Sequence, residues 1–155
     1  MLNQLRRRRA GFTIVELMVV VVIIAILAII AVFALLRARI ATSEQMALQT
    51  LRNVRNALEM YLMVQQAYPP DLTLMGPPQA DPSFLPPDQI GTGLTFSRQG
   101  YVFTYVPPSG GAFALLAGPQ KYRATGERHF LTNNTQTVYF TTDDRDALTT
   151  DPVVP

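Results

Sequence analysis

Between Leu17 and Leu36 the chain carries no charged side chain. A helix of about 20 apolar residues matches the roughly 30 Å hydrocarbon core of a bilayer. No proline or glycine interrupts the sequence from Thr13 to about Gln66. This predicts one long helix of roughly 54 residues, about 80 Å if unbroken. Its first part is apolar on all sides, as lipid or a bundle interior requires. Its second part, from Arg37, is amphipathic. Ala47, Leu51, Val54, Leu58 and Tyr61 recur at steps of four and three and define one helix face, with Arg52, Arg55, Asn56 and Glu59 off it. The bulky Val32, Phe33 and Ile40 weaken helix propensity only slightly.

At Tyr68-Pro69-Pro70 the helix has to end, because proline lacks the amide hydrogen and biases its predecessor toward extended backbone. From Ala67 to about Gly93 proline and glycine are frequent and no periodicity is visible, which predicts a loop. Strand patterns come next. Leu94-Thr95-Phe96 and Tyr101 to Tyr105 flank a Ser-Arg-Gln-Gly turn. Pro107 to Gly111 is expected as loop and Ala112 to Leu116 as a third strand. His129 to Thr132 and Thr137 to Thr141 flank Asn133-Asn134, a second hairpin signal. The tail from Asp143 is polar and is expected to be loop or loosely docked. The fold class is therefore α+β: a long N-terminal helix whose amphipathic half packs on a C-terminal antiparallel sheet of four or five strands. Each large side chain buried between them contributes on the order of 1.5–3 kcal/mol.

Charge changes the picture at the amino terminus. Four of the 13 basic residues are Arg6, Arg7, Arg8 and Arg9, and the chain beyond Gly11 is slightly acidic. The high isoelectric point belongs to this leader, and no basic patch downstream points to direct nucleic-acid binding. The positive-inside rule places the arginines in the cytoplasm and the bulk of the chain across the membrane. A conventional secretory signal puts small residues after its apolar stretch. Here Ala10-Gly11 precede it. The chain has no cysteine, which excludes a disulfide-stapled domain and a thiolate metal site. Glu16 lies at the edge of the apolar run, where a carboxylate is costly and needs a specific compensation.

The segment Gly11-Phe12-Thr13-Ile14-Val15-Glu16, behind a basic leader and ahead of an apolar helix, resembles the processing motif of type IV pilins and type II secretion pseudopilins. The resemblance is strongest over residues 6 to 36. It continues weakly through Ala57-Leu58-Glu59-Met60-Tyr61 and Tyr68-Pro69, which look like the helix end of pseudopilins and short bacterial pilins. It implies a leader over residues 1–11, removed by a prepilin peptidase that cuts between Gly11 and Phe12 and then N-methylates Phe12. It further implies a transmembrane and assembly helix over 12–36, an amphipathic helix over 37–66, a connecting loop over 67–93, and the sheet with its tail over 94–155. Glu16 becomes the fifth residue of the mature chain and by resemblance pairs with the Phe12 amino group of a neighbouring subunit, setting register during assembly. On the residues alone, Gly11 is also a plain helix-start glycine. Glu16 is likewise open to snorkelling to headgroups or to capping the first helical turn.

The implied partners are further copies of the chain, the prepilin peptidase and N-methyltransferase, an inner-membrane assembly platform with its ATPase, minor pilins or pseudopilins, a secretin, and membrane lipid before assembly. The implied location is a single-pass inner-membrane precursor with a periplasmic C-terminal domain, then an extracellular pilus or a periplasmic pseudopilus. The function implied is a structural subunit of a type IV pilus-like filament. The alternative is a major-type pseudopilin whose pseudopilus extrudes folded proteins. A membrane-tethered binding or enzyme domain is the distant alternative, and no catalytic constellation supports it: there is one histidine, His129, and no nucleophile-elbow or metal motif. No cofactor is expected. Asp143, Asp144 and Asp146 are weak calcium candidates because hard cations favour clustered oxygens, although a solvated acidic turn accounts for them. Two departures from the family stand out. Phe33 occupies a position where many members carry a helix-bending proline, and no carboxy-terminal disulfide is available.

Overall fold

A computed structural model of the chain describes residues 11–109 and 111–154. The chain divides into two units, Met1–Arg37 and Ala38–Pro155. Helix α1, Ile14–Gln65, supplies residues to both. It starts and stops within a residue of the expected limits. At its end Gln66 turns left-handed (φ 59°) while its N–H still bonds Leu62 O at 2.8 Å, a common helix stop that leaves Tyr68 extended before the prolines.

In the first unit every described side chain is exposed. In the second unit α1 buries Ala47, Leu51, Val54 and Leu58, as the stripe predicts, and Tyr61 packs at the edge of the same core. Leu48, Thr50 and Ala57 are buried too, so the covered face is wider than the stripe. Residues 67–93 are not simply loop. Two 3-10 turns, Leu72–Met75 and Pro87–Gln89, punctuate this segment, and Leu72, Met75 and Leu85 join the same core. Asp71 caps the first turn by accepting the Thr73 N–H at 2.8 Å. Tyr68 ties the segment back to the helix: its hydroxyl donates to Glu59 Oε1 at 2.9 Å and its ring meets Phe113 edge-on. Burial first, and the Glu59 carboxylate second, push the Tyr68 hydroxyl up to about 12.

Five strands form one antiparallel meander in sequence order: β1 Thr95–Arg98, β2 Tyr101–Ser109, β3 Ala112–Pro119, β4 His129–Asn133 and β5 Val138–Thr141. The β1–β2 turn has two residues, Gln99 and Gly100, both at positive φ, which matches the right-handed twist of paired strands. One sheet face carries Phe96, Tyr101, Phe103, Tyr105, Phe113, Leu115, Ala117 and Phe130 into the core. Phe96 stacks on its ladder partner Phe103 with centroids 4.6 Å apart. Tyr101 and Tyr105 keep their hydroxyls satisfied by Arg128 O at 2.9 Å and Pro69 O at 2.8 Å. The Tyr101 hydroxyl passes directly over Gly126, where any β-carbon would collide with it.

One expectation is corrected and a second is refined. β2 continues through Pro107 and Pro108, where the composition predicts loop. The prolines are tolerated because pairing with β1 ends at Thr104 and the pairing with β3 shifts between Val106 and Ser109, so neither has a regular ladder bond to donate. The tail is loop, as one of the two alternatives expects, but it is firmly rather than loosely docked. Phe140 donates to Pro152 O at 2.9 Å and Val154 to Val138 O at 2.8 Å, so residues 152–154 run along the free edge of β5. Ala147 is buried. The turn leading there is closed by Asp151, which accepts both Arg145 Nη groups at 2.9 and 2.7 Å and the Leu148 N–H at 2.7 Å.

Leu51 is fully buried. Leu51→Ala therefore lowers the unfolding free energy by about 2–5 kcal/mol, measurable by denaturant titration of the 38–155 unit. The Arg145 bonds, then the Leu148 N–H, hold the Asp151 carboxyl well below its ordinary 3.8, at about 2. Because the folded value is the lower one, its contribution is complete above about pH 4 and is lost as pH falls toward 2. Thermal melts across that range show a steeper acid loss for the unsubstituted chain than for Asp151→Asn, which is already less stable at neutral pH.

Candidate functional site

The site begins in the non-helical residues before α1. Gly11, Phe12 and Thr13 are all exposed and outside regular structure. Among the described residues, and apart from its chain neighbours, nothing lies within 4 Å of where a side chain on Gly11 would be.

Thr13 and Glu16 then close on each other. The Glu16 N–H donates to Thr13 Oγ1 at 3.2 Å. Glu16 Oε2 accepts the Thr13 N–H at 2.9 Å and the Thr13 hydroxyl at 2.9 Å. This is a capping box, in which residues three apart satisfy each other's orphan amides at a helix start. The carboxylate also lies at the positive end of the helix dipole. Both of its described bonds end on Oε2, and among the described residues no donor reaches Oε1. Reasoning from the sequence misses the role of Thr13, although a Thr-x-x-Glu spacing ahead of an apolar run is the signal that marks it.

From Leu17 to Leu36 the helix presents only apolar side chains. Its most apolar stretch has a mean hydropathy of 3.6, and none of it is buried within the chain. By length and composition this segment can cross a membrane. Residues 6–32 match the family model described as the prokaryotic N-terminal methylation motif.

Over residues 6–32 the chain carries the methylation motif found in the class III signal peptide of type IV pilins and pseudopilins.

No curated protein and no solved structure matches the chain. With its long helix packed on an antiparallel sheet, the architecture is pilin-like. The motif supports a pilin- or pseudopilin-like subunit, implies processing by a prepilin peptidase, and fits a membrane-anchored precursor. The basic leader residues Arg6 to Arg9 lie outside the described residues, while the motif's Gly11, Phe12 and Glu16 form the exposed start and the capped first turn of α1.

The remaining candidates lie in the second unit and do not converge. Arg145 pairs with Asp143 at 3.5 Å and with Asp151 at 2.7 Å, whereas Asp144 faces His129 Nε2 at 3.7 Å. Asp146 contributes its backbone carbonyl to Arg145 Nη1. Among the described residues no group of three His, Cys, Asp or Glu is arranged to hold a metal ion. His129 opens β4 and is buried beside Tyr122. Neither of its ring nitrogens has a hydrogen-bond partner among the described residues.

Replacing Thr13 by valine removes the hydroxyl from the capping box and costs about 1 kcal/mol at the helix start. Hydrogen exchange in detergent micelles reads this as roughly fivefold faster exchange at the amides of Ile14 to Leu17, with residues 47–58 unchanged.

Proposed function

We propose that this chain is the structural subunit of a type IV pilus-like filament. Hydrolysis of the Gly11–Phe12 bond removes the basic leader and creates a new amino group on Phe12, which the same enzyme then methylates. The mature subunit waits in the inner membrane with α1 among the acyl chains. It leaves the bilayer by exchanging lipid for the α1 helices of other copies. The observation that carries this reading is the methylation motif at residues 6–32, placed so that its glycine is open and its glutamate heads an uncovered apolar helix.

Glu16 is assigned the role of matching subunits in register. In the single chain Thr13 accounts for Oε2, which leaves Oε1 for the Phe12 amine of a neighbour. The attraction between a carboxylate and an ammonium group is far stronger among apolar helices than in water. Mismatched stacking strands both charges in hydrocarbon, so the pair rejects wrong registers as well as favouring the right one. The new amine and Glu16 are both required, which couples assembly to processing.

A pseudopilus that extrudes folded proteins is the second reading, favoured by the Ala57 to Tyr61 segment followed by Tyr68-Pro69. In the structure this stretch lies in the last turns of α1 and fastens the next segment through the Tyr68–Glu59 bond. Extracellular fibres support the pilus. Filaments confined beneath an outer membrane, with secretion failing in a deletion strain, support the pseudopilus.

Glu16→Ala tests the assembly role. The variant inserts into membranes and is cleaved as the unsubstituted chain is, while filament recovery from sheared or detergent-extracted cells falls at least about tenfold, the equivalent of about 1.4 kcal/mol. Full recovery of filaments from this variant contradicts the mechanism.

A further inference from the structure

The second unit has two surfaces of opposite character at opposite ends of its helix. At the C-terminal end of α1 a cleft of about 450 Å³ opens between the helix and the 67–93 segment. Tyr61 and Phe84 meet edge-to-face in its wall, with centroids 5.4 Å apart. Gln65 and Gln79 add amides, and Asp81 is its only charged group. Asp81 is exposed and makes no ion pair among the described residues. Two aromatic rings, amide oxygens and a lone carboxylate suit a lysine or arginine side chain, above all a guanidinium that can stack on a ring and donate to the carboxylate at once.

The other surface is the turn between β3 and β4. Lys121 and Arg123 are exposed on it, and neither has an ion-pair partner among the described residues. The turn is well held. Arg123 adopts a left-handed conformation (φ 61°), its N–H bonds Gly126 O at 2.8 Å, and Thr125 N–H bonds Lys121 O at 2.9 Å. The Arg123 guanidinium lies 5.5 Å over the Tyr122 ring, and the Tyr122 hydroxyl is bonded to Thr142 O. A turn ordered in advance loses little freedom on docking.

The two surfaces cannot meet within one chain. The strand that follows the turn is fixed beside Glu44, whose carboxylate accepts the Glu127 and Arg128 N–H groups at 2.9 and 3.2 Å. The cleft is fixed beside Val64. That is about 20 residues, or roughly 30 Å, further along the helix. We propose that the cleft receives the Lys121–Arg123 turn of a second copy of this chain, so that neighbouring subunits dock head to tail. Such a contact uses different patches on the two partners and so generates an open filament rather than a closed dimer. It rests on the filament reading above and adds to it a recognition site outside the apolar helix. Subunits sharing one polarity present the distal cleft of one copy to the proximal turn of the next, which is the relation that charge complementarity favours.

The absence of native cysteine makes the test free of background. The full-length chain carrying Gln79→Cys and Ala124→Cys is produced in its own cells, oxidised, and run without reductant, and sedimentation of the same preparation reads filament recovery. Head-to-tail docking gives a ladder of covalent oligomers that either single-cysteine variant stops at the dimer or earlier. Asp81→Lys alone, and Lys121→Glu with Arg123→Glu, each reduce the ladder and filament recovery about tenfold through like-charge opposition, and combining them restores both to within about threefold. Restoration by the combined set excludes misfolding as the cause of the single losses. Normal sedimenting filaments with no ladder, and no loss in the charge variants, overturn this docking while leaving the filament reading in place. A cleft that serves a foreign cationic peptide gives that same pattern. Failure of the unsubstituted chain to sediment at all overturns both.

Discussion

A carboxylate at the head of an uncovered apolar helix has to be compensated wherever that helix goes. In this chain the first compensation is internal. Thr13 satisfies one oxygen of Glu16 twice over and receives the Glu16 amide in return. The arrangement also starts the helix, so one pair of side chains both ends the non-helical segment and makes the charge tolerable at a membrane edge. The apolar half of α1 is bound by the same constraint. From Ile14 to Leu36 every side chain of the helix is exposed among the described residues. Lipid covers such a surface without specificity; in the assembly proposed above, further copies would cover it in a register selected by the Phe12 amine.

The C-terminal unit solves a separate problem. Its helix face is covered by a sheet and by an irregular segment, and the edges of the sheet are managed locally. The chain turns its last described residues along β5, and the Arg145–Asp151 pair closes the turn that brings them there. With no cysteine to staple this end, a bidentate ion pair, a buried Ala147 and two backbone bonds do the holding. The consequence is a stability that depends on pH at the acidic extreme rather than on redox state.

Much of this is legible in the residues. An uninterrupted run from Thr13 to Gln66 marks a helix because neither breaker residue occurs in it, and the spacing of Ala47, Leu51, Val54 and Leu58 marks the buried face. Hidden are the contributions of residues that have no period. Leu72, Met75 and Leu85 sit in 3-10 turns and bends among prolines, where each apolar side chain is placed by tertiary packing and not by a repeat, and they join the same core as the helix face. The prolines of β2 read as loop because their neighbours in the ladder, which excuse them, are remote in sequence. In the candidate site Gly11, Phe12 and Glu16 are marked by the resemblance to the pilin processing motif, whereas on the residues alone only Glu16 stands out, as a carboxylate at the edge of an apolar run. The part played by Thr13 emerges only from the closure of its hydroxyl on the carboxylate, and the separation of Asp143, Asp144 and Asp146 onto different partners is a property of the folded turn.

Assembly by this route needs an amine appearing at Phe12 and a carboxylate at Glu16 waiting for it. Intact mass and N-terminal peptide spectra of the chain recovered from its own cells measure this directly. The expected result is a mature chain beginning with N-methylated Phe12 and lacking residues 1–11. A chain recovered from assembled filaments with Arg6 to Gly11 still attached contradicts it.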